Sequence, residues 1–246
     1  MITRCLLLLV ITLLLPQLAT ANSQNQRFQE ANGAYSRGDF GTAITGYESL
    51  IAEHGYSPGV LYNLANSYAQ AGYPGQAILN YERALRLSPG NSDIIANLEK
   101  VQQEHGLFPK GKSLATRLAG SFSMGQWGIL ALAALTALAG TVLTSLYVQV
   151  SRRTITLVCL GSTLLILLAT ASMASLRKNW HCFIVTTTSP LLISPFDGAA
   201  TVGTAREGRR AFPQKRHGSY VYIVSETGRT GWLLSSGLQP VVPTDE

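Results

Sequence analysis

The stretch Trp127-GILALAALTALAGTVLTSLYVQVSRRTITLVCLGSTLLILLATASMAS-Leu176 decides how the chain is laid out. No charged residue stands between Arg117 and Arg152, and none between Arg153 and Leu176. Each run is long enough for a helix across a hydrocarbon core, which needs about 20 apolar residues. Gln149, Ser151, Arg152 and Arg153 separate them, so the segments 126–149 and 154–176 read as an antiparallel transmembrane hairpin. An even number of crossings returns the chain to the side it left, placing residues 22–117 and 183–246 on one face. Trp127, Tyr147 and Trp180 sit where interfacial anchors belong. Small residues (Ala133, Ala137 and Gly140 against Gly161, Ala171 and Ser175) permit close helix packing. Neither crossing carries an acid, a base or a histidine, which transport and proton relays require. The hairpin reads as an anchor.

The net charge of +6 and pI near 9.4 raise the question of nucleic acid, and the location of the charge answers it. Eight bases flank apolar segments: Arg4, Lys110, Lys112, Arg117, Arg152, Arg153, Arg177 and Lys178. Residues 22–108 hold five bases and eight acids, a net of −3, and residues 183–246 hold six and five, a net of +1. The excess belongs to membrane flanks, where Lys and Arg anchor helix ends. No nucleic-acid role follows.

Residues 1–21 read as a secretory signal: Arg4, an apolar core Cys5–Leu15, Pro16, then Ala19-Thr20-Ala21 at a cleavage site. An uncleaved anchor is the alternative. Either form exports Asn22 onward and leaves Arg152 and Arg153 in the cytoplasm, so the soluble modules are expected on the periplasmic side of a bacterial inner membrane. Arg177 and Lys178, close to a helix end on the exported side, count against that orientation. Cys5, Cys159 and Cys182 offer no disulfide pair, and Cys182 is expected as a lone structural thiol on the water side.

Gly38, Ala43, Ile44 and Tyr47 recur 34 residues later as Gly72, Ala77, Ile78 and Tyr81. Leu61, Leu64, Ala65 and Tyr68 make one apolar helix face, and Gly72 and Pro89-Gly90 punctuate it. This pattern resembles the tetratricopeptide repeat. The unit 58–91 carries Leu64, Ala65, Tyr68, Gly72, Ala77, Tyr81, Ala84 and Pro89 where that family has them. The unit 24–57 is degenerate, with Glu30, Ala34 and Gly55 off pattern. A capping helix, Ser92–Glu104, closes an α-helical array over 22–105, followed by a linker, 106–125. The resemblance implies a groove that binds a peptide or protein surface. Its residues are Asn25, Phe28, Asn32 and Tyr35, then Tyr62, Asn66 and Gln70, then Lys100. Asn32 and Asn66 are 34 apart, Lys100 is at the next matching position, and the amides suit an extended peptide backbone. The bland reading is that the aromatics pack the groove.

Short β-rich runs separated by Gly, Pro and Asp turns occupy 183–243 and suggest a small barrel. The segment Tyr220–Val241, with its Gly231-Trp232 step, resembles the closing half of a bacterial SH3-like domain. That resemblance implies binding of cell-wall peptide or protein, with Tyr220, Tyr222, Arg229 and Trp232 as surface candidates; filling the barrel is the commoner role for Trp232. Arg206, Arg209, Arg210, Lys215 and Arg216 read as a basic loop cluster, a solvated face or a contact for acidic headgroups or wall polymer.

No metal-ligand spacing, phosphate loop or nucleophile elbow appears, and His181-Cys182 is a weak pair, so no catalytic, metal or cofactor site is expected. The order of signal, repeats, hairpin and SH3-like β-barrel resembles the BatE-type proteins of the bacterial aerotolerance operon. It implies a scaffold working beside von Willebrand A-type membrane proteins and a MoxR-type ATPase. A peptidoglycan-binding sensor is the competing reading.

Overall fold

The computed structural model describes residues 24–108, 114–178 and 182–242. The expected signal 1–21, Lys110, Lys112, Trp180 and His181 lie outside the described residues. Five helices come first: α1 (24–36), α2 (Phe40–His54), α3 (Pro58–Gln70), α4 (Pro74–Leu87) and α5 (Ser92–Glu104). The starts of α2, α3 and α5 are fixed by side chains that take up orphan amides. Asp39 accepts from Thr42 N at 3.1 Å, Ser57 from Val60 N, and Asn91 from Asp93 and Ile94 N. Pro58 and Pro74 open α3 and α4, where their missing N–H costs nothing.

Three helices end alike. Asp39 N donates to Ala34 O, Tyr73 N to Tyr68 O and Leu107 N to Gln102 O, across Gly38, Gly72 and Gly106 at φ 79°, 83° and 64°. Each copy lies 34 residues after the last, and each needs a glycine because the backbone there is left-handed. The third copy makes α5 the opening helix of a further, incomplete repeat. Leu107, within the segment read as linker, is buried in the core.

After a short α6 (Leu114–Ala119) come two long apolar helices, α7 (Met124–Tyr147) and α8 (Arg152–Lys178). They pack on each other and are long and apolar enough to cross a bilayer. Few of their residues are buried, unlike those of a globule's core helix. Thr136, Thr141, Thr144, Thr156 and Thr170 return their hydroxyls to carbonyls one turn back, which keeps these polar groups satisfied on apolar helices. The small-residue contact differs from the sequence expectation. Ala133, Ala137, Gly140, Gly161 and Ala171 are exposed, whereas Ala134, Ser162, Ala169 and Ser172 are buried. The reason is the seam on α8: 162, 169 and 172 follow the heptad spacing of paired helices. Trp127 also departs from its expected role. It is 4 % exposed, donates from Nε1 to Ala119 O at 2.9 Å and stacks edge-on with Phe122, pinning α6 to the start of α7.

The remaining chain is one antiparallel sheet of β1 (Phe183–Val185), β2 (Ser189–Leu192), β3 (Thr201–Ala205), β4 (Arg210–His217), β5 (Tyr220–Ser225), β6 (Thr230–Leu234) and β7 (Leu238–Pro240). The spatial order is β3-β2-β6-β5-β4-β1-β7. The sheet folds about one core, since Ala205 of β3 and Leu238 of β7 join Val185, Leu191, Val221, Ile223 and Leu233. The expected barrel is nevertheless open: β3 and β7 are the two ends of the ladder and do not pair with each other. The expected basic loop is also corrected. Arg210, Lys215 and Arg216 lie on β4, the longest strand, where Pro213 is accommodated at a bulge. Arg209 pairs with Glu226 at 2.8 Å, and Arg210 with Glu82, so neither belongs to a merely solvated face.

That last pair crosses between the helices and the sheet. Ile78, Ile94, Leu98, Val101 and Leu107 of the helical array share one core with Cys182, Ile184 and Val241. Arg83 Nη2 donates to Pro240 O at 2.9 Å. Two glycines permit the approach: a Cβ on Gly75 would stand 2.9 Å from Thr186 O, and one on Gly208 2.5 Å from Leu107 Cδ1. Glu82 is 7 % exposed at its side chain, so losing its charge leaves Arg210 poorly compensated. Glu82→Gln is expected to cost about 2 kcal/mol in urea unfolding of the full chain. A double-mutant cycle with Arg210→Gln should return a coupling of about 1 kcal/mol or more, because contacting residues do not add.

Candidate protein-interaction surfaces

The repeats are held by a hydrogen-bonded frame that itself repeats. Asn32 Oδ1 accepts from Tyr47 Oη at 2.6 Å and from Asn63 Nδ2 at 3.0 Å. Thirty-four residues on, Asn66 Oδ1 accepts from Tyr81 Oη at 2.5 Å and from Asn97 Nδ2 at 3.0 Å. Asn97 Nδ2 also reaches Tyr62 Oη at 2.9 Å. Tyr47 and Tyr81 are each 1 % exposed, and burial pushes both phenols above their ordinary pKa, so they stay protonated donors. Each asparagine thus ties the first helix of one unit to its own second helix and to the next unit. Both lone pairs of its carbonyl are used inside the protein, so a bound peptide would meet the amide Nδ2 and not the oxygen.

The other groove candidates divide. Phe28 packs edge-on against Tyr47 and Tyr35 against Phe40, both half-buried beside the first repeat's core. Tyr62 stacks on Tyr81 at 6.2 Å. Asn25, Gln70 and Lys100 are exposed, with Lys100 4.0 Å from Glu104. Aromatic packing and an exposed polar rim therefore coexist along α1, α3 and α5. The sheet attaches elsewhere, through the stripe Gly75, Ile78 and Glu82 on α4.

On the sheet, β5 turns Val221 and Ile223 into the core and Tyr222 to the opposite face. Tyr222 stands opposite Trp232 in the β5–β6 ladder, with ring centroids 5.4 Å apart, and the ring of His217, on β4, lies 6.5 Å from that of Trp232. Trp232 is half-buried and outside the sheet core, so it does not fill the fold as its commoner role would have it. Tyr220 is different: it is buried, and its hydroxyl donates to Asp197, whose carboxylate raises the phenol's pKa. Arg229 is in the β5–β6 turn and lines a cleft of about 190 Å³ with Arg206 and Arg209, which none of these aromatics reaches. His217 was not singled out from the sequence. Its two-residue connection to Tyr220 through Gly218, at φ 54°, was the available signal.

Cys182 is 3 % exposed in the core shared by helices and sheet, and burial pushes its thiol up to about 11. A thiol so placed is a packing group rather than a nucleophile. Among the described residues no group of three or more His, Cys, Asp or Glu is placed to hold a metal ion.

Residues 58–91, which span α3 and α4, match the model of the tetratricopeptide repeat family. No protein of curated function matches the sequence. Repeats of that family are commonly protein-interaction modules, and the match suggests such a role for the helical array. The frame gives a direct test. Asn66→Ala removes the acceptor of a buried phenol and should cost about 2 kcal/mol. Lys100→Ala, on the exposed rim, should stay within about 0.5 kcal/mol in the same unfolding titration.

Proposed function

We propose that the chain is a membrane-anchored adaptor that holds an extended segment of a partner protein along α1, α3 and α5. The observation that carries this reading is the site of attachment of the sheet: it takes the α4 stripe and leaves the first helices with their polar rim. In this reading α7 and α8 cross the membrane as a hairpin, residues 1–21 direct export, and both soluble modules work in the periplasm. The module order further suggests a BatE-type role in an envelope complex, with von Willebrand A-type membrane proteins and a MoxR-type ATPase system as partners.

Asn66 and Asn32 act as the frame, with amide Nδ2 groups toward the segment, while Gln70 and Lys100 select it. The double substitution Gln70→Glu/Lys100→Glu reverses rim charge without touching the frame. It should lower crosslinking-supported recovery of partner from cells by roughly tenfold with unchanged thermal stability, since rim charges govern partner choice more than fold. Full recovery would remove the groove from the account.

The outward Tyr222–Trp232 pair favours a second reading, in which the sheet binds peptidoglycan as a wall sensor. Retention of the full chain on purified sacculi, lost in Tyr222→Ala/Trp232→Ala, would select it; equal sedimentation of both proteins would reject it.

A further inference from the structure

A cavity of about 390 Å³ opens where three parts of the chain meet. Leu85 and Ile95 come from the helical array, Phe212 and Val241 from the sheet, and Met124 and Leu176 from the ends of α7 and α8. The last two matter most. They are the start of one long apolar helix and the finish of the other, so the cavity sits at the end of the hairpin from which both soluble modules emerge.

Its charge is one-sided. Among the described residues Arg83, Arg86 and Arg210 line it, with Glu82 as the one carboxylate. Glu82 is engaged by Arg210. Arg83 is held by Pro240 O and by the ring of Tyr56, 5.5 Å from its guanidinium carbon. Its buried Nε has no hydrogen-bond partner among the described residues. Burial also works against its charged form. A buried guanidinium is costly unless an anion meets it. The apolar walls are equally unsuited to water alone.

We propose that this cavity binds an acidic phospholipid drawn from the surrounding bilayer, its phosphate on Arg83 and Arg86 and an acyl chain between Met124, Leu176 and Ile95. The proposal rests on the reading of α7 and α8 as membrane-crossing. An anionic headgroup supplies the charge that the lining lacks, and the cavity's place at the hairpin end lets the lipid enter without leaving the membrane. The lipid then ties the soluble modules to the anchor.

The test uses the full chain, purified in mild detergent and presented with equimolar phosphatidylglycerol and phosphatidylcholine, with bound lipid read by native mass spectrometry. The expected result is one retained phosphatidylglycerol, preferred by roughly tenfold. Arg83→Gln/Arg86→Gln should abolish the preference, and Arg83→Lys/Arg86→Lys should keep most of it. Leu87→Trp, which leaves the charges in place and narrows the cavity mouth, should lower retention of both lipids. Equal retention of the two lipids by the natural chain, an unchanged preference in the glutamine variant, or unchanged retention in the tryptophan variant overturns the site. An alkaline carbonate wash of membranes separates the underlying reading. A natural chain that stays in the pellet yet shows no preference defeats the lipid site alone, and one released by alkali defeats the membrane hairpin and the site together.

Discussion

Two and a half helical repeats leave an apolar flank, and the fold depends on how that flank is covered. In a longer array each unit buries its face against the next. Here the sheet does so, with Ile184 and Val241 entering the same core as Ile78, Ile94 and Leu107. Fully burying a side chain of this size contributes about 2 kcal/mol, so a few such residues are comparable with the whole stability of a small domain. Glycines at 75 and 208 set the closeness of the contact, and the Glu82–Arg210 pair supplies a charged register mark. An ion pair of this kind adds little net energy and much penalty for mispairing. The helices and sheet are therefore one body.

That arrangement has a functional consequence. The sheet docks along α4 and against Leu107 after α5, and leaves Asn25, Gln70 and Lys100 exposed on the first helices. The recurrent Asn–Tyr–Asn bonds hold those helices at a fixed spacing while spending the asparagine oxygens internally. Rigidity is what a groove needs, because binding energy is not then spent on ordering the protein. The outward aromatic pair Tyr222–Trp232 faces away from the sheet core and offers a second, independent surface.

Much of this was legible in the sequence. The charge-free runs around Trp127–Leu176 gave the two long helices, and the recurrence of Gly38 and Tyr47 at Gly72 and Tyr81 gave the repeat. The third Gly, Gly106, was equally visible but lay in a Lys/Gly-rich stretch that looks like a tether. Strand β4 escaped because its residues, RAFPQKRH, combine charge with a proline; a bulge and a partner carboxylate on another module make it a strand. The joint could not be read at all. Ile78, Leu107, Cys182 and Val241 each look like core residues of their own segment, and nothing local says that they share a core. Barrel closure likewise depends on whether the first and last strands of the ladder meet, which is a long-range matter that turn spacing does not encode.

Hydrogen exchange of the full chain tests the central claim, that helices and sheet form a single cooperative body. Amides of α4 and those of β1 and β4 should then share one opening free energy and respond together to added denaturant, because the core of each is completed by the other. Separate opening energies, with β1 and β4 exchanging freely while α4 stays protected, would contradict it.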